Sequence, residues 1–371
     1  MIQVFKPKLY FSDIFSATKA LIKNDISGSS PLVNEFEEKF SSKFDRKFGV
    51  AVSNGSVALD LALNSINLKK GDEVILPSFT IISCLSAVIR SGATPVLCDV
   101  DKDSWNMTLQ NIEKVYTSKT KAILMVHTYG LPSDAIAISK FCKNEGLILI
   151  EDSAEAHGLN INNNKAGSFG LMSTFSFYAN KHITTGEGGM ILTDDEKIYN
   201  LLKQKRNLDF TNEDRFNHSN LYWNYRLGGI QAAIGISQIN KLQKTINFKH
   251  QQGEIYQKLF LDLTDYLQMP LKTHDGVEND YWVFGLVIKE NNNRQKLVNF
   301  LSENNIQTRP FFWPLHKQKY FKESSSMKSV NLPVSEYLGK NGFYIPMGRH
   351  VSKKDQIFIK NKIDEFFVKN I

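Results

Sequence analysis

Short uninterrupted apolar runs alternate along this chain with stretches whose apolar residues return every third or fourth position. Leu32, Phe36, Phe40 and Phe44 recur in the second manner, with Glu35, Glu37 and Glu38 between them, and predict an amphipathic helix. Strand and helix then take turns: 49–53 reads as a strand, 57–66 as a helix, 73–77 as a strand and 81–91 as a helix. The same order repeats with 93–100, 109–116, 121–126, 133–144 and 147–150, and again with a strand at 189–193 and a helix at 194–205. The apolar strands show little alternation, as expected where helices cover both faces, so the pattern predicts a mostly parallel sheet in an α/β fold.

The character changes later. A polar stretch covers 207–220, and Tyr222-Trp-Asn-Tyr-Arg-Leu-Gly-Gly229 opens one long helix to about residue 242. From about 246 a helix, a strand at 281–288, a helix at 294–304, a short strand at 306–309 and a closing helix at 353–367 suggest a smaller α+β unit. The expected division is a large domain over 1–245, with an irregular segment at 1–30 ending in the turn cluster Ser27-Gly-Ser-Ser-Pro31, and a small domain over 246–371.

Composition narrows the function classes. With 371 residues, 42% hydrophobic and 22% charged, the chain is long enough for more than one core and too apolar for disorder. The net charge of +7 is mixed with acidic residues, which suits solubility, or attraction of an anionic small molecule. No basic arm or nucleic-acid signature is present. Cys84, Cys98 and Cys142 are far apart in apolar runs and read as free buried thiols, without a zinc or disulfide pattern. The N-terminus lacks the apolar core of a signal peptide and no run has transmembrane length, so a cytoplasmic protein off the membrane is expected.

Three stretches are candidates for chemistry. The run Ser173-Thr-Phe-Ser-Phe-Tyr-Ala-Asn-Lys181 precedes a glycine-rich loop reaching Met190. Lys181 is either a solvated loop lysine or an amine nucleophile able to form a Schiff base with a carbonyl. Asn54-Gly-Ser56, between a strand and a helix, is either an ordinary N-cap or a phosphate cradle at a helix N-terminus. Glu151-Asp-Ser-Ala-Glu-Ala-His-Gly158 follows an apolar strand, where open parallel sheets collect ligands. Asp152 there is a helix cap or the counter-ion of a cation; Asp152, Glu155 and His157 also leave room for a metal, although no second ligand cluster supports one.

These stretches and Trp223-Asn-Tyr-Arg226, in this order, resemble the DegT/StrS-type sugar aminotransferases. The resemblance runs from about residue 3 to the C-terminus; the Lys181 stretch and the loop Arg309-Pro-Phe-Phe-Trp-Pro-Leu-His316 look closest to the GDP-perosamine synthases. It implies a pyridoxal phosphate (PLP) transferase of fold type I, and a homodimer with a shared site. Lys181 would be the catalytic, cofactor-bearing lysine, Asp152 the partner of the pyridine nitrogen and Glu155 a neighbour of the ring hydroxyl. Gly55, Ser56 and Ser176 would hold the phosphate, joined by Asn224 from the second subunit. Ile81 stands where many relatives carry a stacking aromatic residue, which implies aliphatic packing instead. Arg309, Trp313 and His316 are candidates for substrate contact, or else pack the small domain on the large one. The implied reaction moves an amino group from L-glutamate, releasing 2-oxoglutarate, to a keto sugar on a nucleotide diphosphate. A 4-keto-6-deoxy sugar for surface polysaccharide or lipopolysaccharide is the first expectation; a 3-keto sugar, a smaller keto phosphate, or a non-catalytic regulator on the same fold are the alternatives. The related sugar dehydratases carry histidine in place of the lysine; here Lys181 is present and His182 merely follows it.

Overall fold

The computed structural model describes residues 1–210, 215–289, 293–320 and 330–370. Residues 211–214 of the expected polar stretch lie outside the described residues. Helices α1 (Phe11–Ile22) and α2 (Pro31–Lys43) lead into β1 (Phe48–Val52) and α3 (Gly55–Asn64). Then come β2 (Glu73–Pro77), α4 (Ile82–Arg90), β3 (Thr94–Cys98), α5 (Leu109–Glu113), β4 (Thr120–Val126), α6 (Ala135–Glu145) and β5 (Ile148–Asp152). A two-residue hairpin, β6 (Asn160–Ile161) and β7 (Asn164–Lys165), precedes β8 (Met172–Ser176), β9 (Gly189–Thr193) and α7 (Glu196–Arg206).

Seven of these strands form one sheet in the order β1-β9-β8-β5-β4-β2-β3. Only β9 runs against its neighbours β1 and β8; the remaining pairings are parallel. The sheet interior is Val, Ile, Leu and Ala with both faces buried, which is why its strands lack alternation. The two faces carry separate cores, and the α2 face is aromatic. Phe40, fully buried, has ring centroids 5.0 Å from both Phe175 and Phe177 and 4.6 Å from Phe44. This stack fixes β8 and the turn leading to Lys181. Phe40→Ala is expected to cost about 3–5 kcal/mol, the range for truncating a buried aromatic ring, read as a lower denaturant midpoint with an unchanged slope.

After α8 (Gly229–Ile239) and α9 (Leu242–Leu259), short strands β10 (Leu267–Gln268), β11 (Thr273–His274) and β12 (Val277–Glu278) lead to β13 (Phe284–Ile288), α10 (Arg294–Glu303), β14 (Arg309–Pro310) and β15 (Gly342–Ile345). A second sheet has the order β10-β13-β15-β14, and helices Pro333–Asn341 and Lys353–Asn370 complete the chain.

Two expectations are corrected. The segment 1–30 is not irregular throughout, because it contains α1, which packs on α8 and buries Asp13 and Ala20 rather than an apolar stripe. The helix expected up to about residue 242 ends at Ile239, and the helix expected from about 246 begins earlier, at Leu242. Among the described residues no helix is long and apolar enough to cross a membrane.

Candidate active site

The C-terminal ends of β5 and β8 and the N-terminus of α3 border a cavity of about 540 Å³. The cradle at α3 is built by Asn54, whose side-chain oxygen accepts from the Val57 N–H at 3.0 Å and caps the helix. That leaves the first turn's remaining N–H groups, at Gly55 and Ser56, turned to the cavity end where an anion is favoured. Backbone packing is close here. A Cβ on Gly55 would lie 2.8 Å from the Ser176 Cβ, and one on Gly189 would lie 2.5 Å from the Asn54 carbonyl oxygen. Hydroxyls gather around the same end: Ser56 and Ser83 share a 2.7 Å hydrogen bond, and Thr80 and Ser176 also line the wall.

Lys181 stands beyond the end of β8, after a turn in which its N–H donates to the Tyr178 carbonyl. Its Nζ lies 3.3 Å from Glu155 Oε1 and 4.0 Å from the centroid of the Trp282 ring. A cation over an indole face is attracted by the ring quadrupole. Trp282 is itself fixed, because its Nε1 donates to the Asn180 carbonyl at 3.1 Å and its own carbonyl accepts from Lys249 Nζ at 3.0 Å.

The carboxylates of the β5 stretch divide into two environments. Glu151 points away from the cavity and is consumed by structure. It accepts from His127 Nε2 at 2.9 Å, from the Phe169 N–H at 3.0 Å and from the Gly167 N–H. Burial raises its pKa, but these donors outweigh burial and hold it below the ordinary carboxylate range. The Ser133 N–H donates to His127 Nδ1, so the His127 proton facing Glu151 sits on Nε2.

Asp152 and Glu155 face the cavity and are shifted the other way. Burial holds the Asp152 carboxyl above its ordinary range, against the pull of the Ala154 N–H at 3.0 Å, the Cys84 thiol at 3.3 Å and Lys181. Burial likewise raises Glu155, opposed by Lys181 and by the Tyr129 N–H at 3.0 Å. Tyr129 reaches that position with φ +60°, and Tyr281, beside Trp282, has φ +45°. Two left-handed non-glycine residues meet at the site, where such strain tends to be held. Behind Lys181, His157 and His182 are both kept neutral: burial drives His157 well below its ordinary value and brings His182 down to about 4.

The structure brings together on one cavity wall Lys181, Asp152, Glu155, Gly55, Ser56, Ser176 and Ile81, the last 42% exposed. Asn224 is exposed, bridges to Asn207 and does not line this cavity in its own chain. Arg309, Trp313 and His316 are not brought to it either. Arg309 lies on exposed β14, and Trp313 Nε1 donates to the Lys317 carbonyl. His316 is taken up by Ser78 at 2.7 Å and Glu336 at 3.1 Å, while Phe312 lines the cavity from the same loop. His157 faces away, with Nδ1 accepting from the Ile183 N–H. Among the described residues no group of His, Cys, Asp and Glu is placed to hold a metal ion.

Sequence reasoning missed Trp282, Tyr129, Cys84 and Tyr344. Tyr129 lay in a recognisable strand-end signal, His127-Thr-Tyr-Gly130. Trp282 had none, since it arrives from the second sheet about a hundred residues after the lysine it covers.

Comparison with known proteins agrees over the whole chain. The sequence profile of the DegT/DnrJ/EryC1/StrS aminotransferase family matches residues 11–364. A GDP-perosamine synthase of Escherichia coli O157:H7 is 35% identical over 366 residues, covering 99% of this chain and 98% of that protein. An aminotransferase from Psychrobacter cryohalolentis superposes with a TM-score of 0.91 at 25% identity, over 98% of both chains. An E. coli GDP-4-keto-6-deoxy-D-mannose-3-dehydratase with bound hydrated PLP superposes with a TM-score of 0.87 at 27% identity, over 97% of this chain and 99% of that one.

Proposed function

Because the chain belongs to the DegT/DnrJ/EryC1/StrS aminotransferase family and is a PLP-dependent sugar aminotransferase, we propose that it moves the amino group of L-glutamate onto a 4-keto-6-deoxy sugar carried on a nucleotide diphosphate. The product would serve surface polysaccharide synthesis from the cytoplasm. The reading is carried by one observation: a lysine amine, a buried carboxylate and a helix N-terminus border one cavity. The 35% identity to a GDP-perosamine synthase supports the sugar assigned.

The residues suit the cofactor. The α3 N-terminus with Ser56 and Ser176 offers N–H and O–H donors for a phosphate, and the bare backbone at Gly55 lets the Ser176 side chain pack close against that turn. Asp152, a buried carboxylate without a full ion pair, suits a protonated ring nitrogen. Bound PLP supplies an aldehyde that accepts and returns an amino group, and a ring that draws electrons from the adjacent carbon.

Lys181 is the residue we assign to proton movement. With the cofactor held there, its Nζ would take the proton from the donor's α-carbon and give it back, as base and then acid, in each half of the reaction. Glu155 and the Trp282 face hold the freed ammonium within reach between these steps. Asp152 would hold a proton on the ring nitrogen of the bound cofactor. Ile81 supplies apolar contact where a stacked ring would otherwise sit.

A homodimer and a division into a cofactor-binding unit, 1–245, and a smaller unit, 246–371, belong to the same proposal. The two sheets support the division. The exposed Asn224, the exposed Trp223 beside it and the exposed Phe11, Phe15 and Ile22 of α1 support a second copy covering these faces.

Purified protein is expected to be yellow, with an absorbance band near the visible edge that bleaches on adding L-glutamate. The bleached form is expected to regain colour with a nucleotide-linked 4-keto sugar, with the amino sugar seen by mass spectrometry. A protein that stays colourless with PLP supplied, or that bleaches but reacts only with 3-keto sugars or small keto phosphates, would overturn the corresponding half.

A further inference from the structure

Beside the cofactor cavity lies a second, smaller pocket of about 80 Å³, between the N-terminal segment, α9 and the end of β15. Asn180, Lys181, Trp282 and Tyr344 line both, so the two spaces adjoin at the Lys181 side chain. Its charge is one-sided. Lys6, Lys8, Lys181, Lys249 and Arg349 line it, and no carboxylate does among its described residues. Apart from Lys181, none of these cations forms an ion pair with a described carboxylate.

Several of its polar groups have no partner. Lys249 has three protons to donate and one acceptor, the Trp282 carbonyl; burial brings its pKa down to about 8. Arg349 lies over the rings of Tyr10 and Phe248 at 4.9 and 5.2 Å; it donates to the Lys244 carbonyl at 3.4 Å, and its Nε is buried without a partner. The Tyr10 hydroxyl is buried and unpartnered as well, and so is Nδ1 of His182, a residue only 3% exposed that lines the same pocket. Buried donors are ordinarily satisfied, and buried cations are ordinarily paired. The segment supplying Lys6 and Lys8 is not loose. Val4 bonds both to Gln307 and to the Met347 N–H, and the Gln3 carbonyl accepts from His350.

We propose that this pocket receives a terminal carboxylate of a dicarboxylate amino donor, with Arg349 and Lys249 pairing with it and Tyr10 donating to it. The proposal rests on the aminotransferase reading above and assigns the donor's subsite. Size favours a carboxylate over the acceptor's diphosphate. A chain-terminal carboxylate needs no exit, whereas a phosphate carries a nucleoside that would have to pass Phe5, Tyr10 and Phe248.

The test is calorimetric titration of the PLP-loaded enzyme with glutarate, butyrate and guanosine diphosphate, none of which can transaminate. Wild-type protein is expected to bind glutarate roughly tenfold or more tighter than butyrate, the worth of one charge-assisted contact. R349Q and K249M are each expected to remove that preference while leaving guanosine diphosphate binding and the cofactor's absorbance unchanged. Equal binding of glutarate and butyrate by wild-type protein would overturn the proposal. So would variants that keep the preference, or that lose guanosine diphosphate binding instead. Should R349Q not fold, K249M and Y10F carry the same readout. Glutarate binding needs no turnover. An Arg349-dependent preference in a protein that L-glutamate fails to bleach would therefore sink the function proposed above and leave the pocket standing.

Discussion

Lys181→Ala protein is expected to be folded, to take up PLP weakly and to transfer no measurable amino group. A positioned acid–base group is worth about 10²–10⁴-fold, and here the same amine is also the attachment point assigned to the cofactor, so the loss should exceed that range. The fold should survive, because Lys181 is not part of an aromatic or aliphatic core and its backbone bond to Tyr178 does not depend on the side chain. The neighbours should change in a defined way. Lys181 is the strongest influence opposing burial at Glu155, and it also pulls on Asp152. Without it both carboxyls move further above their ordinary range and Glu155 becomes more easily protonated. Single-turnover assays with L-glutamate, beside far-UV circular dichroism, measure both halves. Turnover at the wild-type rate in this variant would remove Lys181 from the reaction.

Much of the large sheet was legible because its strands are short apolar runs bounded by turn residues, and the site's main parts lie at strand or helix ends where such runs stop. Lys181, Asp152, Glu155, Gly55 and Ser56 belong to that class. What stayed hidden has physical reasons. The helix α1 was missed because its apolar residues, Phe11, Phe15 and Ile22 among them, face outward while Asp13 and Ala20 face the protein, so the usual relation of pattern to burial is inverted. The reversal of β9 was not readable, since an apolar run buried on both faces carries no direction. Trp282 was invisible for another reason: its role depends on the approach of the second sheet to the first. Gly130 shows how close that approach is, for a Cβ there would lie 2.8 Å from the Tyr281 and Trp282 backbone nitrogens, and its φ is +96°. Arg309, Trp313 and His316 were picked for their chemical types, but the loop's bend turns Phe312 to the cavity instead.

Asp152→Asn is expected to move stability and catalysis in opposite directions. In the unfolded chain Asp152 ionises in the ordinary carboxylate range, whereas in the folded, cofactor-free protein burial raises that value. The protonated carboxyl is thus favoured by folding. Its contribution is complete below the unfolded pKa and is lost as pH rises through the folded one. At neutral pH the ionised side chain is a burden on the cofactor-free fold, eased only in part by the Ala154 N–H, the Cys84 thiol and Lys181. Asparagine keeps the shape and an acceptor for Ala154 and removes the charge. Cofactor-free Asp152→Asn should therefore melt at a higher temperature than cofactor-free wild type at pH 7, with the gap closing as pH falls toward the ordinary carboxylate range. With PLP present the order should invert. Removing one partner of a buried charge pair costs about 3–5 kcal/mol, which corresponds to roughly 10²–10⁴-fold in rate if it falls on the transition state. Cofactor affinity should fall as well. Thermal melts with and without PLP across pH, together with single-turnover rates, separate the two effects. A variant that is less stable without cofactor and equally active with it would mean that Asp152 serves the fold and not the ring.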